Sequence, residues 1–502
     1  MSYLELLKLA APETILVIAA LVALVVDLAF MRGVETRTRR IIGGMIAGVG
    51  CAAAIACLLV LQPHGNAMGG MLVADPLTAL VKIVVLVLAI FTVLLSVESD
   101  FTTHVGEYLA LVLFATVGMM FLVSAEDIFM IFISLELTSL SLYVLTAFNK
   151  RNVKSAEAAL KYFLFGGMAA AFMLFGLSLL YGLSGATNLS QIAKVVGEKF
   201  VRLNHLDPLL IVAIVMTVIG FGFKVAAVPF HLWAPDTYEG APTPSAAFIA
   251  SGSKVASFFI AAKVMMLGFA GAEGSAAWRA CASGWMPAVA IGAALSMVLG
   301  NLAAIVQSSV KRLIAYSAIA HAGYMLLGVL GHSGQSLASL IFYAATYGLT
   351  TIGAFGVVNV VEDATGNDKL TSFAGLSRRA PLVSLCMMIF MLSLAGIPPL
   401  AGFFGKFYVF AAVVNTDPTN LGLLWLVILA IAMSAVSLYY YLQVLKRIYV
   451  ADAADGTDGA ALKVPWLTQI SLVMLAMGVV LLGCFPGLLV ATIQNAVTAA
   501  GL

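Results

Sequence analysis

Six lysines of this sequence lie inside long apolar runs, where a charged ammonium group is costly to place. A lysine in such a position can gain and lose its proton, because desolvation disfavours the charged form and a nearby carboxylate favours it. The chemistry that these side chains could support is proton transfer through a low-dielectric interior. The six residues are Lys82, Lys161, Lys224, Lys254, Lys263 and Lys406.

Three of the lysines lie deep within their runs. At about 1.5 Å per residue, Lys224 lies roughly 22 Å from the outer end of its run and Lys254 roughly 17 Å from the inner end. Lys406 lies far inside a run that is too long for one simple crossing. Because charge inside a membrane is rarely kept without a partner or a task, we expect functional roles for Lys224, Lys254 and Lys406.

The remaining lysines lie nearer the ends of their runs. Lys82 and Lys263 are close to the outer ends, and we expect their aliphatic stems to stretch toward the lipid headgroups. Lys161 is only a turn from the inner end of its run, so burial and stretching both remain open for this residue.

One carboxylate is placed to pair with a deep lysine. In "IFISLELTSLSLYVL", Glu136 lies about 14 Å into its run and is the acid nearest mid-membrane. A lone buried glutamate or lysine would become neutral, whereas the two together hold each other charged. We predict that Glu136 and Lys224 are near neighbours, linked directly or through one residue or water. The alternative is a static ion pair that only fixes helix packing.

The composition of the chain explains where such residues can lie. Of the 502 residues, 62% are hydrophobic and 10% are charged, which excludes a soluble fold. About fourteen apolar runs are long enough to cross a bilayer as helices, so we predict an all-α polytopic membrane protein. A transmembrane barrel would show shorter, alternating segments. The runs are 12–31, 41–61, 76–97, 108–125, 127–148, 157–183, 209–230, 243–267, 284–306, 312–332, 336–361, 381–412, 421–447 and 466–493.

Loop charges predict the orientation of these helices. With this assignment, 15 of the 26 basic residues fall in loops on one side and 5 on the other. The side richer in lysine and arginine faces the cytoplasm, so both termini are expected outside it. The first run follows Glu5 and Glu13 and lacks a small-residue cleavage site. We therefore expect a retained first helix and not a secretory signal.

No motif for a cofactor is found in the sequence. The five cysteines lie far apart without a C-x-x-C spacing, which favours neither an iron–sulfur cluster nor a zinc site. A Walker loop, a dinucleotide fingerprint and an acidic metal cluster are also missing. We expect no cofactor and no nucleic acid on this chain, so the energy for any transport must arrive from elsewhere.

Two of the deep lysines lie beside helix-breaking residues. Lys224 lies in "GFGFKVAAVP" and Lys406 follows "AGIPPLAGFFG", so both helices should be interrupted there. The two runs are five crossings apart, an odd number, which predicts two inverted five-helix repeats, each with one broken helix. The predicted units are an N-terminal three-helix segment (1–107), a first repeat (108–267), a second repeat (284–447) and a C-terminal helix (466–493).

Several stretches resemble one protein family. "GFGFKVAAVPFHLWAPDTYEGAPTPSAAFIASGSKVA", "VKRLIAYSAIAHAGYMLLG" and "GIPPLAGFFGKFYVF" are similar to the antiporter-like membrane subunits of proton-pumping NADH:quinone oxidoreductase, respiratory complex I. These subunits are relatives of the membrane subunits of Mrp-type sodium/proton antiporters. The resemblance covers about residues 108–447. Lys406, where the M type has a glutamate, and the lack of a long lateral helix after helix 14 point to the N type, and the full set of helices points to a bacterial source.

The resemblance implies roles for individual residues. Glu136 and Lys224 would form the charge pair that modulates proton affinity, Lys254 would be the central relay, and Lys406 the terminal donor or acceptor. Lys161 matches a further buried lysine of the N type.

Two histidines could extend this set. His231 lies seven residues after Lys224, about two helical turns along and on the same face, so it could shuttle protons toward the cytoplasm. It could equally anchor the loop "HLWAPDTYEGAP" at the interface. His321 is expected to join the polar axis of the second half.

The function implied by the resemblance is proton translocation as a subunit of NADH:quinone reductase in a bacterial inner membrane, with both termini periplasmic. Flavin, iron–sulfur clusters and quinone would be bound by other subunits, and the partners would be other membrane-arm subunits, including a second antiporter-like one, and the bilayer. The alternative is an Mrp-like sodium/proton antiporter subunit. An inert scaffold would leave the three deep lysines unexplained.

Overall fold

The structure, a computed structural model, describes residues 3–203, 207–416, 422–452 and 461–501. Thirteen helices of this described part are long and apolar enough to cross a bilayer. The predicted run 381–412 is instead divided between two shorter apolar helices. The protein is therefore an all-α polytopic membrane protein, as the composition predicts.

The N-terminal part consists of helices joined by one small hairpin. The π-helical segment Val26–Phe30 continues the second helix. The two strands of the hairpin pair antiparallel, with Gly65 opposite Ala74. The elements are α1 (Tyr3–Leu9), α2 (Ala11–Val25), α3 (Thr36–Leu61), β1 (Gly65–Ala67), β2 (Leu72–Ala74) and α4 (Pro76–Val97).

The middle of the chain is helical, and several of its helices are short. They are α5 (Val105–Ser124), α6 (Ile128–Thr146), α7 (Val153–Ser184), α8 (Leu189–Leu203), α9 (Pro208–Val225), α10 (Trp233–Gly240), α11 (Thr243–Ala250) and α12 (Gly252–Lys263). A π-helical segment, Val264–Gly268, continues α12.

A second antiparallel hairpin opens the C-terminal part, with Ser275 opposite Ala282. The elements are β3 (Ser275–Ala277), β4 (Ala280–Ala282), α13 (Trp285–Ile305), α14 (Val310–Leu330), α15 (Gly334–Thr365), α16 (Leu376–Arg379), α17 (Pro381–Ala395), α18 (Ala401–Thr416), α19 (Leu424–Tyr449), α20 (Trp466–Cys484) and α21 (Gly487–Ala499). A 3₁₀ turn, Leu370–Phe373, precedes α16.

The helices α11, α12, α14 and α15 form the interior of the molecule. They are almost entirely buried, whereas α2, α3, α7 and α19 expose much of their apolar surface. Glycines allow α13 and α14 to approach closely, because a Cβ atom at Gly300 would lie 2.6 Å from the Ala320 nitrogen and one at Gly323 would lie 2.7 Å from the Ala293 oxygen. Such small-residue contacts are typical of helices that pack in a membrane.

The lysines near the run ends differ from the expectation. Lys82 and Lys263 are each only 2% exposed. Lys82 Nζ lies 2.6 Å from Glu13 Oε1, and Lys263 Nζ lies 2.9 Å from Glu126 Oε1. The prediction that their stems stretch toward the lipid headgroups is wrong, because carboxylates on neighbouring segments contact both ammonium groups inside the fold.

Two predicted helices are divided in ways that the sequence did not indicate. The run 243–267 is interrupted at Ser251 (φ −120°, ψ −77°), which separates α11 from α12. The last run, 466–493, contains the end of α20 and the start of α21, with a break at 485–486. The interruption at Ser251 lies three residues before Lys254.

Candidate proton-transfer site

The helix that carries Lys224 ends directly after it. Its C-cap, Ala226, has a left-handed backbone (φ 59°), and the chain continues through a turn before α10 begins. The Val228 nitrogen donates a hydrogen bond of 2.8 Å to Ser296 Oγ of α13, which fixes the turn against the second half of the chain. The predicted interruption beside Lys224 is confirmed.

The partner of Lys224 lies on α6. This helix begins at a capping residue, Asp127, whose carboxylate accepts a 2.9 Å hydrogen bond from the Phe129 nitrogen. Lys224 Nζ donates a hydrogen bond to Ser139 Oγ, three residues after Glu136 on the same helix. The Glu136 carboxylate acts on the Lys224 ammonium electrostatically. No ion pair within 4.0 Å joins these two described side chains, and Ser139 Oγ donates its own hydrogen bond to the Leu135 carbonyl. A link between Glu136 and Lys224 through one residue or water stays a prediction.

Aromatic rings complete the surroundings of Lys224. Its ammonium group lies 5.9 Å from the ring centroid of Tyr143 and 5.6 Å from that of Phe223. Ring faces attract a cation through their quadrupole. A charged Lys224 is therefore stabilised by a hydroxyl, a carboxylate and two rings.

Lys254 is held in the interior by a backbone oxygen. It is 2% exposed, and its Nζ donates a 2.6 Å hydrogen bond to the carbonyl of Ala318 in α14. The Tyr347 ring centroid lies 5.8 Å from the same ammonium group. The break at Ser251 starts a new helix, α12, with Lys254 in its first turn.

Lys406 is bound by a helix end. The predicted interruption is confirmed, because α17 ends at Ala395 and Gly396 adopts a left-handed backbone (φ 87°). Lys406 Nζ donates to the carbonyls of Leu394 and Ala395 at 3.0 and 3.1 Å and to Ser434 Oγ at 2.8 Å. The last carbonyls of a helix lack partners and carry partial negative charge, so this break forms a site for an ammonium group.

His321 lies between the two deep lysines of the interior. It is 2% exposed, and its Nδ1 and Nε2 lie 2.7 Å from Tyr343 Oη and 3.1 Å from Tyr441 Oη. The ammonium groups of Lys254 and Lys406 both act on the ring electrostatically. The structure therefore brings His321 together with Lys254 and Lys406, as the expected polar axis requires.

His231 is not placed as the helical spacing predicted. The argument for a shared face with Lys224 needs a continuous helix, but α9 ends at Val225 and His231 lies in the following turn. This geometric argument is wrong because the break precedes the histidine. A shuttle role for His231 remains a prediction.

Lys161 lies apart from the buried lysines. Its side chain is 40% exposed, so of the two possibilities left open for this residue the structure does not favour burial. Its Nζ lies 2.7 Å from both Glu157 Oε1 and Asp236 Oδ2. Arg312 Nη1 of α14 lies 2.7 Å from Asp236 Oδ1 and 3.0 Å from Glu239 Oε2. Lys161 therefore belongs to a charge cluster that ties α10 to α7 and α14.

The carboxylates of this cluster remain charged. Burial by itself raises the pKa of Asp236, but hydrogen bonds from Lys161 and Arg312 outweigh it and leave the pKa below its ordinary value. For Glu239, burial is likewise outweighed, by hydrogen bonds from Lys154 and Arg312, and the pKa is again lowered. Because α10 continues the chain from the break beside Lys224, the cluster fixes the far side of that break.

Several residues of the site were not found from the sequence. Ser139, Ser434, Tyr343 and Tyr441 all contact a predicted proton-carrying side chain. Serine and tyrosine also occur in apolar helices as packing residues, so nothing in the sequence separates these four from the others. For Ser139 alone, the spacing was a signal, because this residue follows Glu136 by three positions, about one helical turn, and so lies on the same face of the helix.

The described part of the chain offers no group of three or more histidine, cysteine, aspartate or glutamate side chains that could hold a metal ion. The chemistry that its buried lysines, histidine and hydroxyls can support is the movement of protons.

Residues 125–434 match the protein family described as "NADH:quinone oxidoreductase/Mrp antiporter, TM". The chain belongs to this family. The match covers all of the deep lysines, Glu136 and His321, so the residues of the site lie within the family's shared region. The expected membership of this group of membrane proteins is confirmed.

Relatives within the family include subunits of the N type. NADH-quinone oxidoreductase subunit N 2 of Acidobacterium capsulatum is 52% identical over 97% of this chain and 98% of its own length. A chain of respiratory complex I from Thermus thermophilus with bound aureothin matches with a TM-score of 0.76 and 32% identity, covering 96% of this chain and 98% of that one. The resemblance to the N type is confirmed.

A structure from the other branch of the family has the same fold. A chain of the Mrp complex from Dietzia sp. matches with a TM-score of 0.82 over 99% of this chain and 97% of that one. The two sequences are 20% identical, so this likeness concerns the fold alone.

Proposed function

We propose that this chain is the N-type, proton-translocating membrane subunit of an NADH:quinone oxidoreductase, respiratory complex I. Quinone reduction in other subunits drives protons through a buried relay in this chain. The observation that carries the proposal is that Lys224, Lys254 and Lys406 each lie beside a helix interruption and bind named partners there. Identity of 52% to a subunit N relative supports the same assignment.

The relay begins at the pair of Glu136 and Lys224. Because Lys224 binds Ser139 and not Glu136 directly, a small movement of α6 or α9 changes the separation of the two charges. A closer carboxylate favours the charged lysine and a more distant one favours its release of a proton. The interruption after Val225 is the point where the backbone would adjust in this movement.

Lys254, His321 and Lys406 continue the relay through the second half. His321 lies on α14, which packs against both α12 and α18, the helices that carry Lys254 and Lys406. Lys406, at the carbonyls that end α17, is the terminal donor or acceptor. His231 would pass protons between Lys224 and the cytoplasm. Lys161 would take part in proton transfer at the surface, where it contacts Asp236.

The two halves would be inverted repeats of 108–267 and 284–447, between the three-helix segment 1–107 and the C-terminal helix 466–493. The matching interruptions beside Lys224 and Lys406 support this division. Their lysines lie on opposite sides of the break, one residue before the end of α9 and six residues into α18.

The subunit would lie in a bacterial inner membrane with both termini periplasmic, in contact with lipid and with other membrane-arm subunits, including a second antiporter-like subunit. The loop charges support this orientation. Flavin, iron–sulfur clusters and quinone would be bound by those other subunits, and this chain would supply only the proton path.

An Mrp-like sodium/proton antiporter is the second candidate, and its support is the shared fold with the Dietzia Mrp complex. Affinity purification of this chain from its native membranes in mild detergent separates the two. We expect flavin and iron–sulfur absorbance, together with NADH oxidation, to co-purify with it. A stable multisubunit complex without flavin, iron or NADH oxidation would contradict the complex I assignment.

A further inference from the structure

A series of hydrogen-bonded side chains begins near Lys254. The carbonyl that accepts from Lys254 Nζ at 2.6 Å belongs to Ala318. The preceding residue, Ser317, forms a hydrogen bond through its Oγ with Tyr441 Oη of α19. Ser317 and Tyr441 are 1% and 0% exposed, so these hydroxyls are inside the protein. The first member of the series, Ser317, therefore precedes the residue that accepts from the lysine, and the second, Tyr441, is bonded to Ser317.

The same series of hydrogen bonds continues toward the helix that carries Lys406. Tyr441 Oη lies 3.1 Å from His321 Nε2, and His321 Nδ1 lies 2.7 Å from Tyr343 Oη. The Tyr343 ring packs on the backbone of Gly405, where a Cβ atom would lie 2.6 Å from ring atom Cδ2. Gly405 immediately precedes Lys406. The series thus ends against the helix segment that carries the second lysine.

We propose that Ser317, Tyr441 and Tyr343 are proton-relay residues that act with His321 between Lys254 and Lys406. The proposal rests on the proposed function and deepens it, since it names the groups that would join the central lysine to the terminal one. Both nitrogens of a neutral imidazole are used, one as donor and one as acceptor, and each hydroxyl can do both. The four side chains therefore form an unbroken donor and acceptor series.

One transfer moves a single proton and leaves each intermediate group with its original number of protons. An N–H bond breaks at Lys254 Nζ, and the proton passes through one water to Ser317, which gives its own to Tyr441. Tyr441 gives its proton to His321 Nε2 while Nδ1 releases one to Tyr343. Tyr343 passes its proton through a second water to Lys406, where a new N–H bond forms. His321 is left as its other tautomer, and a ring flip restores the first.

The structure also supplies a matched control. Tyr324 of α14 is 0% exposed, and its Oη accepts a 3.0 Å hydrogen bond from Asn301 Nδ2. This bond lies outside the Ser317–Tyr441–His321–Tyr343 series. Replacing Tyr324 by phenylalanine removes a buried hydroxyl and a hydrogen bond at comparable structural cost.

The experiment uses the intact complex in sealed vesicles, with assembly checked on a native gel. Tyr441→Phe and Tyr343→Phe are compared with Tyr324→Phe in NADH:quinone turnover and proton uptake, in H₂O and in D₂O. We expect the two relay variants to lose about 100-fold in coupled turnover relative to Tyr324→Phe, the lower end of what a positioned proton donor contributes. Their solvent isotope effect should rise because proton transfer becomes rate-limiting. Equal losses and an unchanged isotope effect in all three would overturn the proposal.

A double variant separates a relay from packing. When two groups transfer a proton in series, removal of the second causes no further loss of rate once the first is gone. The double variant Tyr343→Phe with Tyr441→Phe should therefore be no slower than the worse single variant. Two independent packing defects would add their free energies instead. If the tyrosine variants match Tyr324→Phe while Lys254→Met and Lys406→Met abolish pumping, only the relay is wrong. If the lysine variants also pump normally, the proposed function itself fails.

Discussion

Lys224 and Ser139 are joined by a hydrogen bond that crosses from the broken helix to the helix carrying Glu136. The lysine is therefore not locked to the carboxylate, which lies one helical turn before its direct partner on α6. A static buried ion pair would be difficult to switch, because separating its charges in a low-dielectric interior is costly. An indirect pair is suited to the cycle of binding and release that pumping requires.

Ser139→Ala should weaken proton loading at Lys224. A hydrogen bond to a charged group contributes about 1.5–3 kcal/mol, which corresponds to about 10- to 100-fold in the stability of the charged lysine. Proton uptake and NADH:quinone turnover in sealed vesicles should both fall. Ser141→Ala is the control, because Ser141 is a buried serine of the same helix that bonds only its own helix carbonyl, at 2.8 Å to Leu137. Similar losses in both variants would assign the effect to helix α6 and not to Lys224.

Glu13→Gln should destabilise the N-terminal segment. Glu13 and Lys82 are 1% and 2% exposed and form an ion pair of 2.6 Å. Removing one charge leaves the other buried without a partner, which costs about 3–5 kcal/mol. The measurement is the thermal unfolding temperature of the purified complex.

The double variant Glu13→Leu with Lys82→Met is the control for this pair. Replacement of both charges by apolar side chains is often close to neutral, so the double variant should recover most of the lost stability. A single variant as stable as the parent protein would refute the prediction.

The contact between Glu273 and His332, in the connection after α12, should stabilise the fold to an extent that depends on pH. The His332 side chain, 3.4 Å from Glu273 Oε1, lowers the pKa of Glu273 to about 2, from an ordinary value of 4.5. A lowered folded-state pKa stabilises the fold above the unfolded-state value, and the effect is lost as pH falls through the folded-state value. Glu273→Gln should therefore lower the unfolding temperature at neutral pH, and the difference should shrink as pH falls from 4.5 toward about 2. A difference that does not change with pH would show that the carboxylate charge is not responsible.

The sequence predicted those features that depend on local chemistry. Apolar run lengths located the crossings, and the glycines and prolines near Lys224 and Lys406 located two interruptions. The break at Ser251 has no such signal beyond one adjacent glycine, because it depends on how α11 and α12 pack. A helical projection also failed for His231, since the helix ends before it.

Partner choice could not be obtained from the sequence. The acceptor of Lys254 is the backbone oxygen of Ala318, and any residue type would supply one. Lys82 was expected to extend toward the headgroups. It forms an ion pair instead with Glu13, which lies on a helix more than sixty residues earlier. Which residues meet is set by tertiary packing, and spacing along one helix does not contain that information.

The central claim is that the Glu136 charge controls the protonation of Lys224 and thereby drives the pump. The most direct measurement is NADH:quinone turnover together with proton uptake in sealed vesicles for Glu136→Gln, with Glu136→Asp as the matched variant that keeps the charge, after assembly has been checked. Glutamine keeps the size of the side chain but removes the charge that stabilises the ammonium group. The account predicts that both activities fall in Glu136→Gln and fall less in Glu136→Asp. Normal turnover and normal proton uptake in fully assembled Glu136→Gln would contradict it, and Lys224 would then be a structural residue.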